Sequence, residues 1–121
     1  MRSGESCAVT DLAIDGRCSY SPFDWATLSV SDTLRAVSVD RPVFIEGVSS
    51  LHPKLCPHYA LAIFVDSDRA STLPAALARG VGLWADGWRD WFLPSADLYF
   101  GTRPELRADI GVPGRGLSPQ T

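Results

Sequence analysis

Long apolar runs are what this sequence chiefly lacks: the longest, residues 59 to 65, covers seven residues, where a helix needs about twenty to cross a bilayer. A membrane span is therefore not expected. The opening MRSGESCAVTDLAIDG also lacks the apolar stretch of a secretory leader, so export by a standard signal is not expected either. Clustered positive charge is missing as well. Eleven Lys and Arg against fourteen Asp and Glu give a net charge of −3, and the basic residues stand singly along the chain. With no basic stripe to follow a phosphate backbone, nucleic acid is not an expected partner. Cysteine is scarce: three residues, an odd number, with no Cys-x-x-Cys pair. That fits neither a small disulfide scaffold nor a paired-ligand zinc module, and points to reduced thiols in the cytoplasm, a single Cys7–Cys18 bridge being the remaining option. The glycine-rich GVPGRG lacks the lysine and hydroxyl of a phosphate loop and opens no helix, so no nucleotide or other cofactor is expected.

What is present belongs to a folded chain. Apolar residues make up 45% and charged residues 21% of 121 positions, values of a globular protein rather than a disordered one. At this length one domain is expected, burying roughly two-thirds of its unfolded surface. No repeat, low-complexity tract or linker divides it. Only the end changes character: GVPGRGLSPQT carries three glycines and two prolines, which sustain neither a helix nor a central strand. The expected organisation is a domain over residues 1–108 with an extended tail over 109–121.

Local patterns predict an α+β fold. Asp15-Gly16 between β-compatible runs predicts a hairpin over residues 7–20. A strand is expected over WATLSV (25–30), and a short helix over SDTLRAVS (31–38) with Ser31 as its cap. RPVFIEGV (41–48) reads as a strand with Pro42 at its start. HYALAIFV (58–65), apolar throughout, reads as a central strand covered on both faces. Beyond DSDRAS, residues Leu73, Leu77, Gly80, Val81, Trp84, Trp88 and Trp91 fall within about 60° of one line at helical spacing. They predict a long amphipathic helix capped by Ser71 or Thr72, ended by Pro94 and most prone to break at Gly80-Val81-Gly82. ADLYFG (96–101) reads as a strand, and TRPELRAD as a last helical turn capped by Thr102. The resulting order for residues 25–101, strand, helix, strand, strand, helix, strand, is the ferredoxin-like βαββαβ order, in a mixed or antiparallel sheet packed by the Trp-rich helix.

Both histidines lie in LHPKLCPHYA, residues 51–60. The imidazoles of His52 and His58 and the thiolate of Cys56 are zinc-ligand chemistry, with Cys7 or Cys18 available as a fourth. Pro53 and Pro57 interrupt the spacing, and the simpler reading is a proline-rich connection with a small buried thiol. A thiol hydrolase needs a cysteine, a histidine base and an orienting acid. Cys18 or Cys56 with His58 and Asp66, or Asp68, supplies those types, and the order of a cysteine followed by a histidine opening a core strand is similar to that of papain-like and cell-wall amidase thiol hydrolases. An extended strand, however, sets Asp66 and Asp68 roughly 25 to 35 Å beyond His58. Asp66, Asp68 and Glu46 form a third set, suited to a cation or an acid pair, or more simply to loop positions and a helix cap.

Aromatic residues complete the inventory. Trp84, Trp88 and Trp91 share a helix face beside Phe92, in a chain with four tryptophans. Such a stripe is ordinarily core, but tryptophan is rarely buried completely and its emergent edge anchors interfaces. The sequence thus points first to a non-enzymatic interaction module that docks on a protein partner or on a second copy, through Trp84, Trp88, Trp91 and Phe92 and the 49–58 loop. A thiol hydrolase, a Cys/His metal protein and a small-ligand binder with its site between sheet and tryptophan helix are the alternatives.

Overall fold

The structure, a computed structural model, describes residues 4–24, 26–80 and 84–116. The chain divides into two units: Met1–Glu46 with Pro53–Tyr59, and Gly47–His52 with Ala60–Thr121. Helices stand beside small antiparallel and parallel sheets, so the protein is an α+β mix. Among the described residues the sheets are three separate two-stranded pairs. The βαββαβ order is therefore corrected: no single sheet gathers the strands, and helices replace two of the expected ones.

The first unit opens with α1 (Gly4–Asp15), followed by β1 (Arg17–Tyr20), β2 (Phe23–Asp24), β3 (Ser29–Val30) and β4 (Arg35–Ser38). The expected hairpin over 7–20 is absent because Asp15-Gly16 ends a helix instead. Gly16 takes φ +68° and donates its N–H to the Leu12 carbonyl at 3.0 Å, the left-handed stop that a helix favours as readily as a hairpin does. β1 pairs antiparallel with β4, Cys18 opposite Val37. The helix expected over 31–38 is thus half a strand. Ser31 accepts the Thr33 N–H two residues on, at 3.1 Å, rather than capping a helix, the local competition such hydroxyls offer. Of the strand expected at 25–30 only β3 forms, paired with β2 across a turn in which the Asp24 carboxylate accepts the Ala26 N–H at 2.8 Å. Trp25 lies outside the described residues. Residues 42–46, expected in a strand, have no regular structure. Pro42 offers no N–H, and no strand lies alongside to pair with the rest.

The second unit holds β5 (Ile63–Asp66), α2 (Arg69–Ala78), α3 (Ala85–Gly87), α4 (Leu93–Phe100) and β6 (Ile110–Pro113). β5 is shorter than the expected 58–65 strand and is not covered on both faces, since Ile63 and Val65 are exposed. Its partner comes from the stretch read as tail: β6 runs parallel to it, Ile63 opposite Ile110 and Val65 opposite Val112. Asp68 caps α2, its carboxylate accepting the Ala70 N–H and the Ser71 hydroxyl; Ser71 and Thr72 lie inside the helix. The long helix breaks where its glycines are weakest: α2 stops at Ala78, and Gly80 takes φ +84°. Val81 and Gly82 lie outside the described residues.

Pro94 does not end the second helical stretch. A proline cannot donate to the carbonyl four residues back and its ring crowds that carbonyl. The chain answers by widening the preceding turn, Trp88–Phe92, into a π-helix in which the Leu93 N–H reaches back five residues to the Trp88 carbonyl. The Ser95 hydroxyl takes the Trp91 carbonyl at 2.8 Å. α4 then continues through the residues expected as a strand. Leu93 and Ala96, three apart, are its buried face. The expected last helical turn is a 3₁₀ turn, Pro104–Arg107, entered through Arg103 at φ +56°. Thr102 does not cap it, its hydroxyl donating instead to the Tyr99 carbonyl at 2.6 Å.

The buried apolar side chains of this unit are Leu51, Ala62, Ala76, Leu93, Ala96 and Pro104. Arg107 fixes Leu51 among them. Its guanidinium donates to the Leu51 carbonyl at 2.7 Å, to the Thr102 carbonyl at 2.7 Å and to the Thr102 hydroxyl at 3.0 Å, while the Leu51 N–H donates to the Tyr99 hydroxyl at 3.2 Å.

Candidate functional site

The histidine and cysteine candidates are placed by different elements. Cys56, Pro57 and His58 form a 3₁₀ turn, with the His58 N–H donating to the Leu55 carbonyl at 2.9 Å. His58 Nε2 lies 3.4 Å from the Thr10 hydroxyl on α1. His52 belongs to the second unit, whereas Cys56 and His58 belong to the first. Among the described residues no group of three or more His, Cys, Asp or Glu side chains converges as metal ligands would.

Cys18 is a free thiol buried in β1, and Cys56 is a free, half-buried thiol. A cysteine inside a strand lacks the helix N-terminus that favours a thiolate, and a buried one is screened from substrate. Asp66 sits at the end of β5 in the second unit, and it is Thr10 that meets the His58 ring. Of the acidic set, Asp68 is spent on capping α2, and Glu46 closes the first segment of the other unit.

The second unit contains a cleft of about 1140 Å³ between the β5–β6 pair and the helices. Phe64, Trp88, Phe92 and Phe100 supply its aromatic lining. Phe64 meets Phe100 edge-on with ring centres 6.4 Å apart, and Trp88 lies 4.3 Å from Phe92. Several of its charged groups are paired within the unit. Arg69 grips Asp97 with two hydrogen bonds of 2.8 and 2.9 Å, which hold the Asp97 carboxyl below its ordinary value and raise that of the guanidinium. Glu105 pairs with Arg103, which lowers its carboxyl likewise.

The other two described tryptophans, Trp84 and Trp91, are exposed. Trp91 is 77% exposed and Leu98, seven residues on, 79%; Trp84, seven residues before Trp91, is also exposed, as is Phe92. Sequence reasoning marked the tryptophans but took α4 for a strand, and so missed Leu98. The signal was the Ala96-Asp97-Leu98 run, which favours a helix as much as a strand.

The GVPGRG segment, expected as extended tail, makes backbone contacts within this unit. Gly114, Arg115 and Gly116 lie against the end of β5 and the cap of α2. The Asp68 N–H donates to the Arg115 carbonyl at 2.9 Å, and the Arg115 N–H to the Ser67 hydroxyl at 3.2 Å. A Cβ on Gly114 would fall on Ser67 Oγ and within 2.9 Å of the Asp66 carbonyl oxygen. Here glycine serves close backbone approach.

Compared with known proteins, the chain matches no family model and no curated sequence. Among the described residues no helix is long and apolar enough to cross a membrane.

Proposed function

We propose that this chain is a protein-interaction module, working in a reducing, cytosol-like compartment, whose helical stretch from Trp84 to Leu98 docks on an apolar surface of another polypeptide. The observation that carries this reading is the exposure of Trp91 and Leu98 at 77% and 79%. Large apolar side chains scattered singly on a surface need no explanation, but a tryptophan and a leucine left this exposed on one helical stretch make an apolar surface of the kind interfaces use, tryptophan being among the residues most enriched as their anchors. The setting supports it. Among the described residues Ala62, Ala76 and Ala96 are buried while the much larger Trp91 is left exposed.

Enzymatic and ligand readings draw less support. The thiol candidates are a strand-buried Cys18 and a turn-borne Cys56 with no acid recorded against His58. The cleft has aromatic walls, and Asp68, Asp97 and Glu105 already have partners within the unit, so these three carboxylates are not the groups to orient a small ligand.

The test is a quantitative affinity capture with the intact chain and with the double variant Trp91→Ser/Leu98→Ser. Because both side chains are exposed, the variant keeps the far-UV circular dichroism of the parent. Specific partners are expected to drop at least tenfold in the variant, the loss of two interface anchors at roughly 1–2 kcal/mol each. An unchanged set of partners would overturn the reading.

A further inference from the structure

The cleft of the second unit, at about 1140 Å³, stands at the large end of small-ligand sites, which run roughly 300–1,000 Å³. One face of α2 is turned into it. Thr72, Ala75, Ala76 and Arg79, spaced i, i+3, i+4 and i+7, all line the cleft, which is the recurrence of side chains along a single helix face. The two alanines in the middle of that face add no bulk, and Ala76 is only 2% exposed. Two aromatic pairs complete the apolar lining. Phe64 of β5 meets Phe100 of α4, and the π-turn brings Trp88 against Phe92. Widened turns of this kind recur at functional sites.

Charge selects the occupant. Asp97 is held by Arg69 and Glu105 by Arg103, so these carboxylates are already neutralised. Asp66, Asp68 and Arg115 gather at the N-terminal end of α2, where the Asp68 N–H donates to the Arg115 carbonyl. Arg79 stands at the other end of this ten-residue helix, about 15 Å away along its axis. Among the described residues its guanidinium has no ion pair and no side-chain hydrogen bond. A free guanidinium is a planar fork of donors that matches a carboxylate. The cleft therefore offers apolar walls, one unmatched cation at the Arg79 end, and carboxylates that keep an anion away from the opposite end.

We propose that this cleft binds an amphipathic monocarboxylate, its apolar body over Ala75 and Ala76 among the four aromatic rings and its carboxylate on Arg79. The body supplies most of the affinity, because apolar surface is what the cleft removes from water. Arg79 is exposed, so its ion pair adds little strength and chiefly sets which way the ligand lies. An aromatic acid and a fatty acid share this chemistry, and the experiment below tells them apart. The site goes beyond the docking reading and does not rest on it, since neither Trp91 nor Leu98 lines the cleft.

Titration of the intact, isotope-labelled chain with naphthoate and, separately, with decanoate, followed by amide chemical shifts, tests the site. Saturable shifts are expected at Phe64, Ala75, Ala76, Arg79, Trp88 and Phe92, a map that needs no variant. The tighter binder names the body, naphthoate an aromatic acid and decanoate a fatty one, and either result supports the proposal. Arg79→Gln, at an exposed position, keeps the fold and should weaken the tighter acid about threefold, the contribution of an exposed ion pair. The uncharged alcohol with the same body should bind parent and variant alike. No saturable shifts from either acid, shifts confined to the Trp91 and Leu98 side, an acid bound equally by Arg79→Gln and parent, or an alcohol weakened as much as the acid would each overturn the proposal. Loss of partner capture in Trp91→Ser/Leu98→Ser with acid binding unchanged would leave this site standing, and the converse result would leave the docking reading standing.

Discussion

Arg107 shows how much one side chain can organise in a unit with so few buried residues. Its planar guanidinium meets two carbonyls and a hydroxyl and ties the buried Leu51 to the turn after α4. Removing it strands the Leu51 carbonyl in a half-dry setting, where an unsatisfied group costs about 1–3 kcal/mol. Arg107→Ala is therefore expected to lower stability by that amount in urea unfolding. Arg107→Lys should recover only a minor part, because an ammonium on a flexible stem cannot span the three acceptors. Equal stability of Arg107→Ala and the parent would show that the clamp contributes nothing. None of this was readable in TRPELRAD, where Arg107 is one charged residue at the end of a turn. Its acceptors include Leu51, fifty-six residues earlier, and sequence spacing carries no information on such a pairing. The Asp68 cap was within reach, by contrast: an Asp directly before a helical run is a local signal with a local partner.

At the scale of elements, what could be read depended on whether local signals had one meaning or two. The break near Gly80 followed from glycine's low helix propensity, and α2 ends there. Asp15-Gly16 had two meanings, hairpin turn or helix stop, and the preceding residues chose the second. Pro94 likewise ends many helices, yet here a widened turn absorbs it. Most instructive is β6, hidden in a segment whose glycines and proline argued against any strand. Gly114 is there because the chain must pass against Ser67 and Asp66. Gly114→Ala forces that backbone contact apart and is expected to destabilise the chain by about 1–3 kcal/mol. Gly111→Ala, with nothing within 4 Å of the added methyl group, should stay within about 0.5 kcal/mol of the parent. Chemical denaturation of the two variants side by side decides it, and equal effects would contradict the close-approach account.

For the whole molecule, composition predicted a foldable chain and local patterns an α+β one, and an α+β chain is what the structure describes. Composition could not say where the apolar residues go. A stripe of tryptophans reads the same from sequence whether it faces a core or a partner, since periodicity fixes which side chains share a face and not what covers that face. The structure puts Trp91 and Leu98 outside, and the docking role we propose rests on that placement.

The most direct measurement is site-specific photo-crosslinking from position 91. The intact chain carries a photoreactive phenylalanine derivative in place of Trp91, and a control carries it in place of Asp86, an exposed polar residue of the same helical stretch. Both are irradiated in a lysate of the source cells. The account predicts discrete polypeptide adducts from position 91 that position 86 does not give and that unlabelled parent competes away. Adducts alike from both positions, or none from position 91, would contradict it.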